Sequence, residues 1–193
     1  MLVTILTKHN NQNDVCVRLT AVQAIEALLP QCEEKPELLQ AIVEPTIPAV
    51  YKLTSDCTEV ENRAGCLDLI STLVTYVMVS GGKLDDNILN TIAAPLVSIW
   101  DNAIDQNLLI KRNVLVILSC LASYVGPDQV ALLYPMALPM IDSCFQYEDN
   151  VFLVEEALKL WFVFLRLAKT YDALIGKLFI HTAELSKDFG HVM

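Results

Sequence analysis

The chain has 193 residues, 54% of them hydrophobic, and carries 23 acidic against 13 basic side chains for a net charge of −10. That acidity argues against binding a phosphate backbone, where a basic footprint is expected, and favours basic protein partners. The apolar content demands many helices buried on two sides. No run reaches the roughly 18 consecutive apolar residues of a membrane span, since residues 114–125 and 160–165 are shorter and flanked by Lys111, Arg112 and Arg166.

Residues 1–8 read as the end of a first helix whose beginning is missing, which suggests a fragment of a longer protein, and a turn over 9–14 follows. The chain does not open with the basic region, apolar run and cleavage site of a signal peptide, so an intracellular protein is expected. Over 14–29, Val15, Leu19, Val22, Ile25 and Leu29 fall at helical spacing with Asp14 as N-cap. Pro30 and Pro36 bracket a break, and Pro36 suits a first helical turn, where its missing N–H needs no partner. Pro45 and Pro48 predict a kink or a split in the run to Leu53, because each removes a backbone donor and crowds the carbonyl one turn back.

Over 59–78, Val60, Ala64, Leu67, Ile70, Leu73, Val74 and Val77 form an apolar stripe opposite Glu61, Gly65, Asp68, Thr72 and Thr75, the pattern of a half-exposed helix. Gly81-Gly82 stops it. Asp85-Asp86 opens the next helix, 87–100, kinked at Pro95. A helix apolar nearly all round, 107–124, turns at Gly126-Pro127-Asp128 into 129–145, which holds Pro135 and Pro139. Asn150 caps 151–168, and 172–186 begins a further pair whose second helix is missing. No alternating run with a hairpin dipeptide suggests a strand.

Ile47-Pro48-Ala49-Val50, Ala94-Pro95-Leu96-Val97 and Leu138-Pro139-Met140-Ile141 recur at intervals of 47 and then 44 residues, each leading into a polar turn and a long helical pattern. A period in the mid-forties built of two helices is the signature of HEAT-type arrays, about 40–47 residues per repeat. The expected fold is all-α: an α-solenoid of HEAT repeats, a right-handed superhelical stack of antiparallel helix pairs. Residues 1–193 then form a single array with units at 1–30 (partial), 36–80, 85–125, 127–169 and 170–193 (partial). Pro48, Pro95 and Pro139 are expected on first helices of an outer, convex layer, with 59–78, 107–124 and 151–168 as concave second helices.

Adjacent carboxylates at Glu33-Glu34, Asp85-Asp86, Glu148-Asp149 and Glu155-Glu156 have the makings of acid–base chemistry or a hard-metal site. They fall at turns and helix starts, where negative charge complements the helix dipole, and that reading leads. His9, His181 and His191 supply no base beside a nucleophile. The six cysteines, at 16, 32, 57, 66, 120 and 144, form no C-x-x-C pair and read mostly as buried small apolar residues. Gly81-Gly82-Lys83-Leu84 lacks the first glycine and the hydroxyl residue of a phosphate loop. No enzyme activity, no cofactor and no metal are expected. Trp100 and Trp161, with Phe152 and Phe164, read as interhelical packing ahead of binding hot spots. Arg18, Arg63 and Arg112 recur early in successive second helices, 45 and 49 residues apart, where each can bridge to an acidic turn of the neighbouring repeat.

The segments Asn13-Asp14-Val15-Cys16-Val17-Arg18-Leu19-Thr20-Ala21, Leu132-Leu133-Tyr134-Pro135-Met136-Ala137-Leu138-Pro139 and Val154-Glu155-Glu156-Ala157-Leu158-Lys159-Leu160-Trp161 resemble pieces of the importin-beta (karyopherin) superfamily, closest to the importin-eleven type. In the third, Glu156-Ala157 stands where the family pattern has Asp-Gly. The resemblance implies a HEAT-repeat nuclear transport receptor of cytoplasm and nucleus. Such a receptor carries protein cargo and releases it when the GTP-bound small GTPase Ran binds, mainly through N-terminal repeats absent from this chain. Neither direct nucleic-acid contact nor membrane insertion is implied. The alternative is a HEAT-repeat scaffold subunit of a multiprotein complex, of the phosphatase or chromosome-organising type. The candidate protein-partner surface is the solvent-facing stripe of the inner helices, with Glu61, Asp68, Arg112, Glu155 and Lys159 as its residues beside Thr72, Thr75, Ser119, Ser123, Phe162 and Arg166. Basic cargo is expected to meet Glu61, Asp68 and Glu155.

Overall fold

The structure is a computed structural model and describes residues 1–7, 14–103, 107–145 and 151–170. Among these residues all regular structure is helical. Helices α1 (Leu2–Thr7) and α2 (Asp14–Leu28) precede a 3-10 turn, Leu29–Cys32. Helices α3 (Pro36–Asp56), α4 (Val60–Val79), α5 (Asp86–Asn102) and α6 (Leu108–Gln129) follow. A second 3-10 turn, Val130–Leu133, then leads into α7 (Tyr134–Cys144) and α8 (Val151–Leu167).

The punctuation residues act as their chemistry predicts. Pro36 opens α3 from its first turn. At the end of α4, Gly81 takes φ +70°; its N–H donates to the Met78 carbonyl at 3.2 Å and that of Gly82 to the Val77 carbonyl at 2.9 Å, which satisfies carbonyls the helix leaves open. Asp85 caps α5, its Oδ1 accepting from the Ile88 N–H at 2.8 Å. Gly126 breaks α6 with φ 68° and ψ −168°, a conformation open to glycine and strained for other residues.

Helix α3 packs on α4, α5 on α6 and α7 on α8, while α2, α4, α6 and α8 each pack on the next in that order. Helix α3 also touches α5. Covered from several sides, α6 buries Val114, Leu115, Ile117, Leu118 and Ala122 completely, and α4 does the same with Leu67, Leu69, Ile70, Leu73 and Val74. Each such large side chain contributes about 1.5–3 kcal/mol. Packing of these rows, more than helix propensity, is what holds the helices in place.

Several expectations change. Helix α3 runs through Pro45 and Pro48 without splitting. Burial of Val43, Ile47, Val50 and Leu53, at about 1.5–3 kcal/mol each, offsets the roughly 3 kcal/mol that an interior proline costs. Helix α4 is half-exposed as expected, but its covered side is wider than the predicted stripe, because Cys66, Leu69 and Ser71 are also buried. Residues 129–145 are not one helix: with no N–H at Pro135, the α-helix starts only at Tyr134, and the chain before it winds as a 3-10 turn. By mean hydropathy, Val15–Cys32 and Leu108–Cys144 are long and apolar enough to cross a membrane, contrary to the count of consecutive apolar residues. Half of the second stretch is buried against other helices, and Gly126 interrupts it. The Asp14 side chain, the turns at 9–13, 104–106 and 146–150, the cap Asn150, the helix 172–186 and all three histidines lie outside the described residues.

Cys32, Cys57, Cys66 and Cys144 are buried and Cys16 is exposed. Desolvation pushes the Cys66 and Cys144 thiols up to about 12, so both stay protonated at neutral pH. Brief iodoacetamide treatment at neutral pH should therefore alkylate Cys16 and leave Cys66 and Cys144 unmodified until denaturant is added, as read by peptide mass spectrometry. Fast native labelling of Cys66 would show that α4 does not keep its covered face closed.

Candidate partner-binding surface

Near their N-terminal ends α6 and α8 leave an open groove of about 470 Å³, lined by Leu108, Leu109 and Arg112 on one side and by Phe152, Leu153, Glu155, Glu156 and Lys159 on the other. Helical spacing sets the charges. Glu155 and Glu156 lie four and three residues before Lys159, so both carboxylates reach its ammonium, with Nζ–Oε1 distances of 2.8 and 3.2 Å. The same Glu156 oxygen accepts from Arg112 Nη2 at 3.4 Å across the groove. The hydrogen bond from Lys159 and its charge hold the Glu155 carboxyl below the usual range, and hydrogen bonds to Glu155 and Glu156 hold Lys159 above its own. The Glu156 side chain is only 12% exposed, but those of Arg112, Glu155 and Lys159 are open to water, where such pairs add little to stability. Their charges remain available to a partner.

Part of the groove's apolar lining is exposed. Phe152 is 79% accessible and Leu109 46%, so an aromatic side chain stands in solvent beside a charged rim, the composition of an interface anchor. Phe152 was expected to pack with Trp161 and Phe164. It falls off the buried row Leu153, Ala157, Leu160, Trp161 and Phe164, and nothing in its residue type distinguishes it from Phe164. Further along α8, Phe162 is 65% exposed beside exposed Arg166.

Of the five candidate residues, Arg112, Glu155 and Lys159 are thus brought together. Glu61 and Asp68 lie exposed on α4, the neighbour of α6, and form no ion pair among the described residues. Asp68 is near enough to α6 to help raise the Cys120 thiol, after burial as the larger cause. Thr75 Oγ1 is 3.5 Å from Cys120 Sγ, and Ser119 and Ser123 are half-buried.

The arginine series divides. Arg18 Nη2 donates to Asp56 Oδ2 at 2.9 Å, the predicted bridge to an acidic turn. Arg112 instead pairs with Glu156 inside α8, because the helix brings that carboxylate across the groove. Arg63 Nε is buried without a hydrogen-bond partner among the described residues. Sequence reasoning missed Asn113, whose buried Nδ2 donates to the Ala64 carbonyl of α4 at 2.7 Å, and Lys111, buried with Nζ 5.5 Å from the Trp100 ring centroid. Two polar residues within an apolar helix were the available signal. Among the described residues no three His, Cys, Asp or Glu side chains gather as metal ligands.

No family model, curated protein or solved structure matches the chain. An exposed aromatic and a mixed-charge rim over buried helices suit recognition of another protein.

Proposed function

We propose that the chain is part of a HEAT-repeat solenoid of a nuclear transport receptor, with protein cargo bound along the α4–α6–α8 face and Ran acting mainly through repeats beyond these residues. One observation carries the reading. Consecutive second helices are joined by side-chain links of nearly constant sequence separation, 45 for Thr75 and Cys120, 49 for Asn113 and Ala64, and 44 for Arg112 and Glu156, as a stack of two-helix repeats requires. The open carboxylates Glu61, Asp68 and Glu155, in a chain of net charge −10, suit basic cargo.

Capture of the endogenous tagged protein on immobilised Ran locked in its GTP form tests the transport half. Retention on GTP-Ran and not on GDP-Ran is expected; equal recovery on both would favour a scaffold subunit. The surface is tested separately with the combined Glu61→Lys, Asp68→Lys and Glu155→Lys variant. Its affinity for a Lys/Arg-rich peptide should fall about tenfold at low ionic strength and less at physiological salt, where screening is stronger. Unchanged affinity at low salt would leave this face as ordinary solvated scaffold.

A further inference from the structure

A second groove lies on the other helix layer. Helix α3 packs on α5, but α5 and α7 make at most marginal contact, and between them opens a trough of about 570 Å³. One wall is the α5 row Leu89, Ala93 and Val97, the other carries Leu132 and Met136, and Leu121 of α6 lies in the floor. The α5 row has a four-residue step, so it presents one straight apolar ridge about 12 Å long at 1.5 Å per residue. Small Ala93 at its centre leaves room for a second backbone to approach. Leu132 is 77% exposed at the lip and Val97 43%. Asp86, one turn before Leu89, is exposed and joins no ion pair among the described residues, and no basic side chain lines the trough.

We infer that this trough receives a short amphipathic helix of a partner protein, about three turns long, with apolar residues at i, i+4 and i+7 or i+8 and a Lys or Arg at the end that meets Asp86. The walls match the helix-in-groove mode, in which an apolar ridge gives affinity and end charges give orientation. A second copy of the chain is disfavoured by charge, because it brings another net −10 onto an unpaired carboxylate. This site is independent of the α6–α8 groove.

The test uses the whole chain and a displayed library of helical 14-residue peptides, apolar at the stripe positions and free at both ends. Binders should be enriched with Lys or Arg at one end, and the Leu132→Glu variant should lose them by tenfold or more while its unfolding midpoint is unchanged, since Leu132 is exposed. The Asp86→Lys variant should exchange the preferred end residue for Glu or Asp. Enrichment without an end preference, or binders indifferent to Leu132→Glu, would overturn the inference. So would a concentration-dependent dimer abolished by Leu132→Glu, which makes the occupant a second copy, or binding that emerges only after removal of 171–193, which makes it this chain's own end.

Discussion

Phe164→Ala should destabilise the chain by about 3–5 kcal/mol, whereas Phe152→Ala on the same helix should change stability by no more than about 0.5 kcal/mol. Phe164 is fully buried and meets the Tyr134 ring edge-on, with centroids 5.0 Å apart and planes at 67°. Its truncation removes apolar burial, the aromatic contact and support for the α7–α8 pairing, and leaves a cavity. Phe152 is 79% exposed and loses almost nothing on truncation. Binding should reverse the order: Phe152→Ala weakens a partner held in the α6–α8 groove, and Phe164→Ala affects it only through unfolding. Guanidinium unfolding followed by circular dichroism gives the stability arm, and hydrogen exchange should place the Phe164→Ala loss in α7 and α8. Equal destabilisation by the two variants would mean that the rotation of α8 about its axis is wrong.

Those two phenylalanines mark the boundary of what the sequence makes legible. Elements governed by neighbouring residues were readable: the Gly81-Gly82 stop, the helix start at Asp85-Asp86, the opening of α3 at Pro36 and the apolar row of α4. Each follows from a local hydrogen bond or a helical period. What depended on distant partners was not readable. Continuity of α3 through Pro45 and Pro48 requires knowing that both its flanks are packed, and the burial of Asn113 requires the Ala64 carbonyl 49 residues away. The candidate site was half legible for the same reason. Helical spacing joins Glu155 to Lys159, but Glu156 as the carboxylate that meets Arg112 depends on how α6 and α8 are juxtaposed. The α5–α7 trough gave no sequence signal, because it arises from two helices that do not close against one another.

Asp56→Ala should cost about 2–3 kcal/mol, and Arg18→Met should cost less than about 1 kcal/mol, although the two residues form one ion pair. The asymmetry lies in their surroundings. The Arg18 side chain is 6% exposed and that of Asp56 38%, so removing aspartate leaves a guanidinium without its counter-charge in the interior, while removing arginine leaves a carboxylate that water can reach. Partial exposure of Asp56 places the cost below the roughly 3–5 kcal/mol of a fully enclosed pair. Arg18 is also poorly served in the native fold, since its buried Nε and Nη1 have no hydrogen-bond partners among the described residues. Methionine keeps most of the side-chain volume and removes those unmet donors. The double variant Asp56→Ala with Arg18→Met should therefore recover most of the stability lost by Asp56→Ala alone, a coupling that urea unfolding midpoints of the four proteins measure directly. If Asp56→Ala leaves the midpoint unchanged, the Arg18–Asp56 contact is an ordinary surface bridge. If the double variant falls to the sum of larger single losses, Arg18 contributes packing that methionine does not replace.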